Sequence, residues 1–271
     1  MGELNGVAVG VRELQALALV NYGHFTTMRV EDGRVKGLAL HLERLRRDCR
    51  MLFGAELDGE RVRALARRMA PARGAATVRV TVFDPGLDLG HPLAARDPQV
   101  LVTVREAGGA VPPPLRVRST QYVRDVPEVK SVGLFAGLHH RRRAQLSGFD
   151  DALYVDAGQA VSEGATWNIG FVDGGRVVWP DAECLDGVTM QLLKRVHPYD
   201  GRGVRLADLA GFEAAFATNA AMGVRAVRAV DTVELPGSRG GGGAGAGGGT
   251  GFHAVIDALR DAYAAVPGDL L

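Results

Sequence analysis

The sequence contains very little lysine. Among the 32 basic residues of the 271-residue chain, only Lys36, Lys130 and Lys194 are lysines, and all the others are arginines. A genome that favours arginine codons would produce this bias. Against that background each retained lysine is a candidate for chemistry that arginine cannot perform, because a lysine amine can lose its proton and form a Schiff base whereas a guanidinium stays charged.

The chain also lacks an excess of charge of either sign. Its 32 basic and 31 acidic residues leave a formal net charge of +1, which provides no basic field to hold nucleic acid and no acidic field to attract cations. Two arginine-rich runs, 44–50 and 139–143, are interpreted as solvated helix faces because no aromatic residues are interleaved with them. We therefore expect no nucleic-acid partner.

Cysteines are few and long apolar runs are missing. Two cysteines, Cys49 and Cys184, cannot form a disulfide framework or a zinc cluster, and His24 and His41 lack the spacing of metal ligands, so no metal site is expected. Apolar runs end well before the ~20 residues of a membrane span. Residues 1–10 show no basic segment leading into an apolar one, so we expect no secretory signal and a cytoplasmic compartment.

Periodicity divides the first 106 residues into strands and helices. Strands are predicted where polar and apolar residues alternate, and helices where apolar residues recur every three or four positions. Glu31, Asp32 and Gly33 form a turn signal, and Asp58 is placed to cap a helix. The expected elements are a strand at 5–10, a hairpin over 24–40, helices at 41–53 and 58–70, and strands at 76–83 and 99–106.

Residues 107–117 contain three consecutive prolines beside two glycines, which is typical of a semi-rigid connector. We therefore predict an N-terminal domain at 1–106, a linker at 107–117 and a C-terminal domain at 118–271; a long surface loop inside one domain is the alternative. The elements expected beyond the linker are helices at 134–146, 188–197 and 252–266 and short strands within 150–180.

A glycine-rich tract occupies residues 237–251 and predicts a flexible loop. The tract lacks the Gly-Lys-Ser/Thr ending of a nucleotide-binding P-loop and does not lead from that motif into a helix. We therefore expect no nucleotide site there.

Lys130 stands between Val129 and Val132 at the end of an apparent strand. Partial burial there would lower its pKa and favour the neutral amine. A lone lysine in a strand is more often a charge facing solvent, and the scarcity of lysine does not by itself overturn that interpretation.

Four segments in order along the chain resemble fold-type IV pyridoxal-phosphate (PLP) enzymes, the group of branched-chain and D-amino-acid aminotransferases and aminodeoxychorismate lyases. In that family the Schiff-base lysine precedes a Glu-Gly pair by some thirty residues, and Lys130 precedes Glu163 by 33. The resemblance spans nearly the whole chain. The segments are YGHFTTMRVEDG at 22–33 with HLERL at 41–45, GFDDALYVDAGQAVSEGATWNIGFV at 148–172, LDGVTMQLL at 185–193, and FATNAAMGVRAV at 216–227.

The resemblance implies a role for each matching residue. Lys130 would form the Schiff base, and Glu163 would contact the pyridine nitrogen. The other implied contacts are Arg44, Val188, Thr189, Asn219 and Ala220 to the cofactor's phosphate, Leu185 to the ring face, and Phe25 and Thr27 to the substrate.

The same resemblance implies the architecture. We expect an α/β (α+β) fold of two domains, a smaller N-terminal α/β domain and a larger C-terminal domain with a strand-rich core, with PLP between them. Relatives are homodimers whose partner subunit contributes to the substrate pocket, and the loop at 84–98 is the segment we expect to make that contribution.

Several positions depart from the family pattern. Phe135 stands where branched-chain enzymes carry a tyrosine, and Met190 stands where many relatives have arginine. Ala220 has no hydroxyl, and this feature and the Phe-Thr-Thr run at 25–27 are more similar to the lyases. Ser162-Glu163-Gly164 is more similar to the aminotransferases.

Transamination between an amino acid and a 2-oxo acid is the leading hypothesis. An aminodeoxychorismate lyase, which yields aminobenzoate and pyruvate, is the alternative on the same fold. A non-catalytic member of the family is the third possibility.

Overall fold

A computed structural model of the chain describes residues 2–109, 112–238 and 254–271. The elements up to residue 106 are β1 (Gly2–Leu4), β2 (Val7–Ala8), α1 (Val11–Val20), β3 (His24–Glu31), β4 (Arg34–Lys36), α2 (Leu38–Phe53), α3 (Gly59–Met69), β5 (Ala75–Phe83) and β6 (Gln99–Glu106). Those that follow are β7 (Leu115–Gln121), α4 (Phe135–Leu146), β8 (Asp151–Val155), β9 (Val161–Gly164), β10 (Asn168–Asp173), β11 (Arg176–Pro180), α5 (Val188–Val196), β12 (Tyr199–Arg202), β13 (Ala214–Asn219), β14 (Gly223–Val230), β15 (Val233–Glu234), α6 (Ala254–Ala265) and β16 (Gly268–Leu270).

Most of the predicted elements are present, and the mixed α/β class is confirmed. The expected strand at 5–10 is wrong: Asn5 and Gly6, with φ of 51° and 88°, form a tight turn between β1 and β2 instead. The tract at 237–251 lies outside the described residues except for its first two positions. In the described parts of the chain, no helix is both long and apolar enough to cross a membrane.

The chain forms two compact units. The N-terminal unit comprises residues 1–108, 129–134 and 267–271, and the C-terminal unit comprises 109–128 and 135–266. These differ from the boundaries expected from sequence, because residues 129–134 bond to β3 and β16 pairs with β4. The expected linker at 107–117 also contains the start of β7.

The N-terminal unit is built on a seven-stranded antiparallel sheet of order β16-β4-β3-β5-β6-β1-β2. One face packs against α2 and α3 through an apolar cluster, while the residues of the other face are more polar. Asp58 caps α3, as predicted, by accepting hydrogen bonds from the backbone N–H groups of Glu60 and Arg61. The cluster includes Met28, Val30, Leu42, Leu45, Cys49, Val62, Ala66, Val78, Val80, Val82, Val100 and Val102.

The C-terminal unit is built on a nine-stranded sheet of order β12-β11-β10-β13-β14-β7-β8-β9, with β15 paired to β14. A further pairing between Glu163 of β9 and Asn168 of β10 closes six of these strands into a ring. Residues on β13 alternate between the two faces: Ala215 and Ala217 pack in one apolar cluster, and Phe216 packs in another with residues of α5 and α6. This ring closure fixes the position of Glu163.

Candidate active site

Lys130 lies in the N-terminal unit, half-buried, next to the buried Val129. It is not in a strand, contrary to the sequence-based expectation; the segment makes only an isolated bridge between Ser131 and His24. The main chain of Lys130 is nevertheless held at both ends. Its carbonyl accepts from the Phe25 N–H at 2.9 Å, and its N–H donates to Oδ2 of Asp48 at 3.1 Å.

The amine of Lys130 lies 4.8 Å from the centre of the Phe25 ring. The guanidinium carbon of Arg79 lies 3.7 Å from the same ring centre. Thr27 shares this sheet face, since it is the direct partner of Arg79 on the neighbouring strand. Burial lowers the pKa of Arg79, and the charge of Arg105 lowers it further. A half-buried cation therefore lies beside two of the expected substrate contacts.

Arg44 projects from α2 and is 5% exposed. Its Nη2 donates to the Thr26 hydroxyl at 2.6 Å, and that hydroxyl lies 2.7 Å from Nδ1 of His41. Since a guanidinium can only donate, the Thr26 oxygen accepts from Arg44, and the direction of its bond to Nδ1 depends on the tautomer of His41.

Two buried histidines flank this arginine. Burial, followed by the charges of Arg44 and Lys130, holds the pKa of His41 well below its usual value. Burial, with Arg44 and Arg47, lowers the pKa of His24 to about 3, and neither ring nitrogen of His24 has a hydrogen-bond partner in the described structure. Both histidines are neutral at pH 7, so the positive charge in this region comes from arginine and lysine.

Glu163 lies in the C-terminal unit and is 6% exposed. Its Oε1 accepts from Nε of Arg124 at 2.8 Å, and its Oε2 accepts from the Leu185 N–H at 3.3 Å. The next residue, Gly164, lies against the indole of Trp167: a Cβ at this position would be 2.0 Å from Cε2 of that ring. The glycine therefore permits the close packing that sets the end of β9.

The turn before α5 is held by Asn168. Its Nδ2 donates to the Leu185 carbonyl at 2.7 Å, and a Cβ on Gly187 would lie 2.1 Å from its Oδ1. Leu185 is thus bonded to Glu163 through its N–H and to Asn168 through its carbonyl. These contacts bring together two of the expected cofactor residues, Glu163 and Leu185.

The N-terminus of α5 is buried and has no side-chain cap. Gly187 precedes Val188 and Thr189, which are 3% and 1% exposed, and no acidic residue lies in the first turn. The Thr189 hydroxyl has no hydrogen-bond partner in the part of the chain that the structure describes. Free N–H groups, the positive end of the helix dipole and an unused hydroxyl are the features of an anion-binding site.

Asn219 ends β13 and shapes the turn that follows it. Its Oδ1 accepts from the N–H groups of Ala221 and Met222 at 3.0 and 2.9 Å. The side-chain oxygen is therefore used within the turn, and Ala220 offers only main-chain groups.

Several residues of these sites could not be recognised as site residues from the sequence. Asp48, Arg79, Arg124 and Asn168 are residue types found on any surface, and only the tertiary contacts distinguish them. Among the described residues, no group of three or more histidine, cysteine or acidic side chains is arranged to hold a metal ion.

Comparison with known proteins places these sites in a family context. The family model for amino-transferase class IV matches residues 23–230. Branched-chain-amino-acid aminotransferase 1, mitochondrial, of Arabidopsis thaliana is 27% identical over 79% of this chain and 65% of its own length. The chain therefore spans somewhat less than two thirds of that relative.

Solved structures show the same fold. The branched-chain amino acid aminotransferase of T.th., complexed with N-(5'-phosphopyridoxyl)-L-glutamate, superposes with a TM-score of 0.80 at 19% identity, covering 97% of this chain and 92% of the other. A hypothetical aminotransferase from Mycobacterium tuberculosis, in its apo form, gives a TM-score of 0.79 at 19% identity and covers 98% of both chains.

Proposed function

The chain belongs to the amino-transferase class IV family, and from this premise we propose that it is a PLP-dependent aminotransferase that moves an amino group between an amino acid and a 2-oxo acid. The observation that carries the proposal is that the residues around Lys130 in the N-terminal unit and those around Glu163 in the C-terminal unit each supply groups that PLP chemistry requires. A solved structure of the same fold holds a phosphopyridoxyl derivative of glutamate, which supports both the cofactor and the substrate class.

The residues present fit the cofactor. An amine for the covalent link comes from Lys130, and a carboxylate for the pyridine nitrogen comes from Glu163, which is buried with Arg124. The buried α5 N-terminus and the unused Thr189 hydroxyl suit a phosphate dianion, as does the buried guanidinium of Arg44. Leu185, Asn219 and Ala220 remain proposed contacts, the last two through main-chain groups and the Asn219 amide nitrogen.

When bound, PLP acts as an electron sink that stabilises negative charge developing at the substrate's Cα. In our proposal the Lys130 amine would take the proton from the substrate's Cα and deliver it to C4′ of the cofactor. The main-chain bonds to Phe25 and Asp48 restrict where that amine can reach. Glu163, which is ion-paired with Arg124, would hold the proton on the pyridine nitrogen.

Arg79 is our proposed ligand for a substrate carboxylate. Its guanidinium lies against Phe25, opposite Thr27 on the next strand, and it is half-buried. A cation removed from bulk water attracts a carboxylate more strongly than an exposed one. Phe25 and Thr27 then contact the rest of the substrate.

The lyase alternative is not favoured, because the relatives that match the chain are named as aminotransferases. The homodimer, the role of the 84–98 loop in it and the cytoplasmic location stay predictions.

An amino-transfer assay tests the proposal. The full-length chain is supplied with PLP and screened with branched-chain, acidic and small amino donors against 2-oxoglutarate and pyruvate, and separately with aminodeoxychorismate. We expect a new amino acid in the first assay and no pyruvate release in the second. Pyruvate release without amino transfer would establish the lyase instead.

A further inference from the structure

Thr218, the penultimate residue of β13, has a buried hydroxyl that the fold does not use. The residue is 1% exposed, and its Oγ1 has no hydrogen-bond partner in the described regions of the chain. A buried hydroxyl without a partner destabilises a fold, and such groups are rare unless they serve a function or bind a ligand.

The strand register places Thr218 in line with Glu163. Asn168 is the direct partner of Glu163 on one side and of Thr218 on the other. Directly paired residues on antiparallel strands project from the same face, so the three side chains form a row. Two strand spacings separate its ends, about 10 Å. A flat ring carrying a phosphate arm is long enough to contact both ends of such a row.

The same sheet face carries α5. Phe216, two residues before Thr218 and therefore on the same face, packs in one cluster with Met190 and Leu193 of α5. The side chain of Asn168, next to Thr218 in the row, contacts Gly187 at the start of that helix. Thr218 thus lies on the side of the sheet where the uncapped α5 N-terminus and the unused Thr189 hydroxyl are found.

Neighbouring positions do not supply an equivalent group. Asn219 uses its side-chain oxygen to form the following turn, and Ala220 has no polar side-chain atom. Among residues 218–220, Thr218 is the one with a buried hydroxyl available to a ligand.

We propose that the Thr218 hydroxyl binds the phosphate group of the cofactor, donating its proton to a phosphate oxygen beside Thr189 and the first N–H groups of α5. The inference rests on the proposed function and goes beyond it by assigning a phosphate ligand that the family resemblance did not indicate. Thr218 supplies the hydroxyl that is missing at Ala220.

Affinities for PLP and for pyridoxal, which has the same aldehyde but no phosphate, test this assignment. The full-length chain is freed of cofactor and titrated with each compound. Thr218→Val removes the hydroxyl at nearly constant volume, Thr218→Ala is a second hydroxyl-free variant, and Thr218→Ser is the matched control that keeps the hydroxyl. We expect the Val and Ala variants to bind PLP on the order of 10- to 100-fold more weakly, the usual cost of a hydrogen bond to a charged group.

Pyridoxal binding should be unchanged in all variants, and Thr218→Ser should bind PLP as the wild-type chain does. If PLP affinity is unchanged in the Val and Ala variants, or if PLP and pyridoxal affinities fall by the same factor, Thr218 is not a phosphate ligand, although the proposed function stands. A wild-type chain that binds neither compound overturns both the inference and the proposed function.

Discussion

The main-chain N–H of Lys130 donates a hydrogen bond to Oδ2 of Asp48, a fully buried carboxylate on α2. The other oxygen of Asp48 accepts from Nε and Nη2 of Arg47 at 3.1 and 2.8 Å. Burial raises the pKa of Asp48, while the bond from Lys130 and the charge of Arg47 oppose that effect. The carboxylate therefore anchors the segment that carries Lys130, the proposed Schiff-base lysine.

Replacing this anchor should slow formation of the covalent link to PLP. Asp48→Leu leaves the Lys130 N–H without its acceptor, so we expect slower development of the Schiff-base absorbance and a loss of about 1–3 kcal/mol in the free energy of unfolding. Asp48→Asn keeps an acceptor oxygen and is the matched control. Stopped-flow absorbance after mixing with PLP measures the rate, and equal rates for the Leu and Asn variants would contradict the anchoring role.

Stability should depend on pH through His24. Its pKa is lowered to about 3 in the folded chain, so below the unfolded value of 6.5 the unfolded chain binds a proton that the folded chain does not. The stability contribution of the neutral ring is therefore present above pH 6.5 and is lost as pH falls towards 3. The loss is about 2 kcal/mol at pH 5.

Chemical denaturation at pH 7 and pH 5 tests this dependence. His24→Leu should lose less stability between the two pH values than the wild-type chain, because one buried histidine no longer resists protonation. His91→Gln, which changes an exposed histidine, should behave like wild type. If the free energy of unfolding depends on pH identically in all three chains, His24 does not contribute to that dependence.

Glu163→Gln should reduce catalysis while leaving the covalent link intact. The amide cannot hold the pyridine proton as a carboxylate does, and it leaves the half-buried guanidinium of Arg124 without its anion. We expect kcat to fall on the order of 100-fold, as for other preorganised electrostatic contacts. Visible absorbance checks that PLP is bound, and Glu213→Gln, an acidic residue on another part of the unit, is a control. A normal kcat in the Gln variant would show that Glu163 does not have this role.

Gly164→Ala should displace the Trp167 indole, since the added Cβ would lie 2.0 Å from its Cε2. Overpacking of this kind costs about 1–3 kcal/mol. Gly201→Ala, where no atom lies within 4 Å of the added Cβ, is the matched control. Tryptophan fluorescence and thermal unfolding would show the difference, and equal melting temperatures would contradict the close packing.

The sequence predicted helices and strands well where it contains recognisable turn residues or helix-capping residues. Asp32 and Gly33 both adopt positive φ in the predicted hairpin turn, and Asp58 caps its helix. The prediction failed where the same chemistry was overlooked: the Asn5-Gly6 pair breaks the expected first strand. The apparent strand at Lys130 is likewise absent: turns and bends precede the residue, and bonds to β3 and α2 hold the segment.

The candidate site residues were predicted from the sequence only through the family resemblance. Arg124, Asn168 and Thr218 could not be identified from the sequence because their significance depends on hydrogen bonds made, or left unmade, across strands that are distant in sequence. Asn219 differs from these residues. The family resemblance indicates it as a phosphate contact, but its side-chain oxygen accepts a hydrogen bond within its own turn. Hydrogen-bond satisfaction is a tertiary property that residue type does not reveal.

Reduction of the PLP-loaded chain with borohydride, followed by peptide mapping, tests the central claim most directly. The sequence has only three lysines, so Lys36 and Lys194 are the only other lysines on which an adduct could form. The account predicts loss of the visible absorbance and a reduced adduct on Lys130 alone, with no adduct in Lys130→Ala. An adduct on Lys36 or Lys194, or no adduct on any lysine, would contradict it.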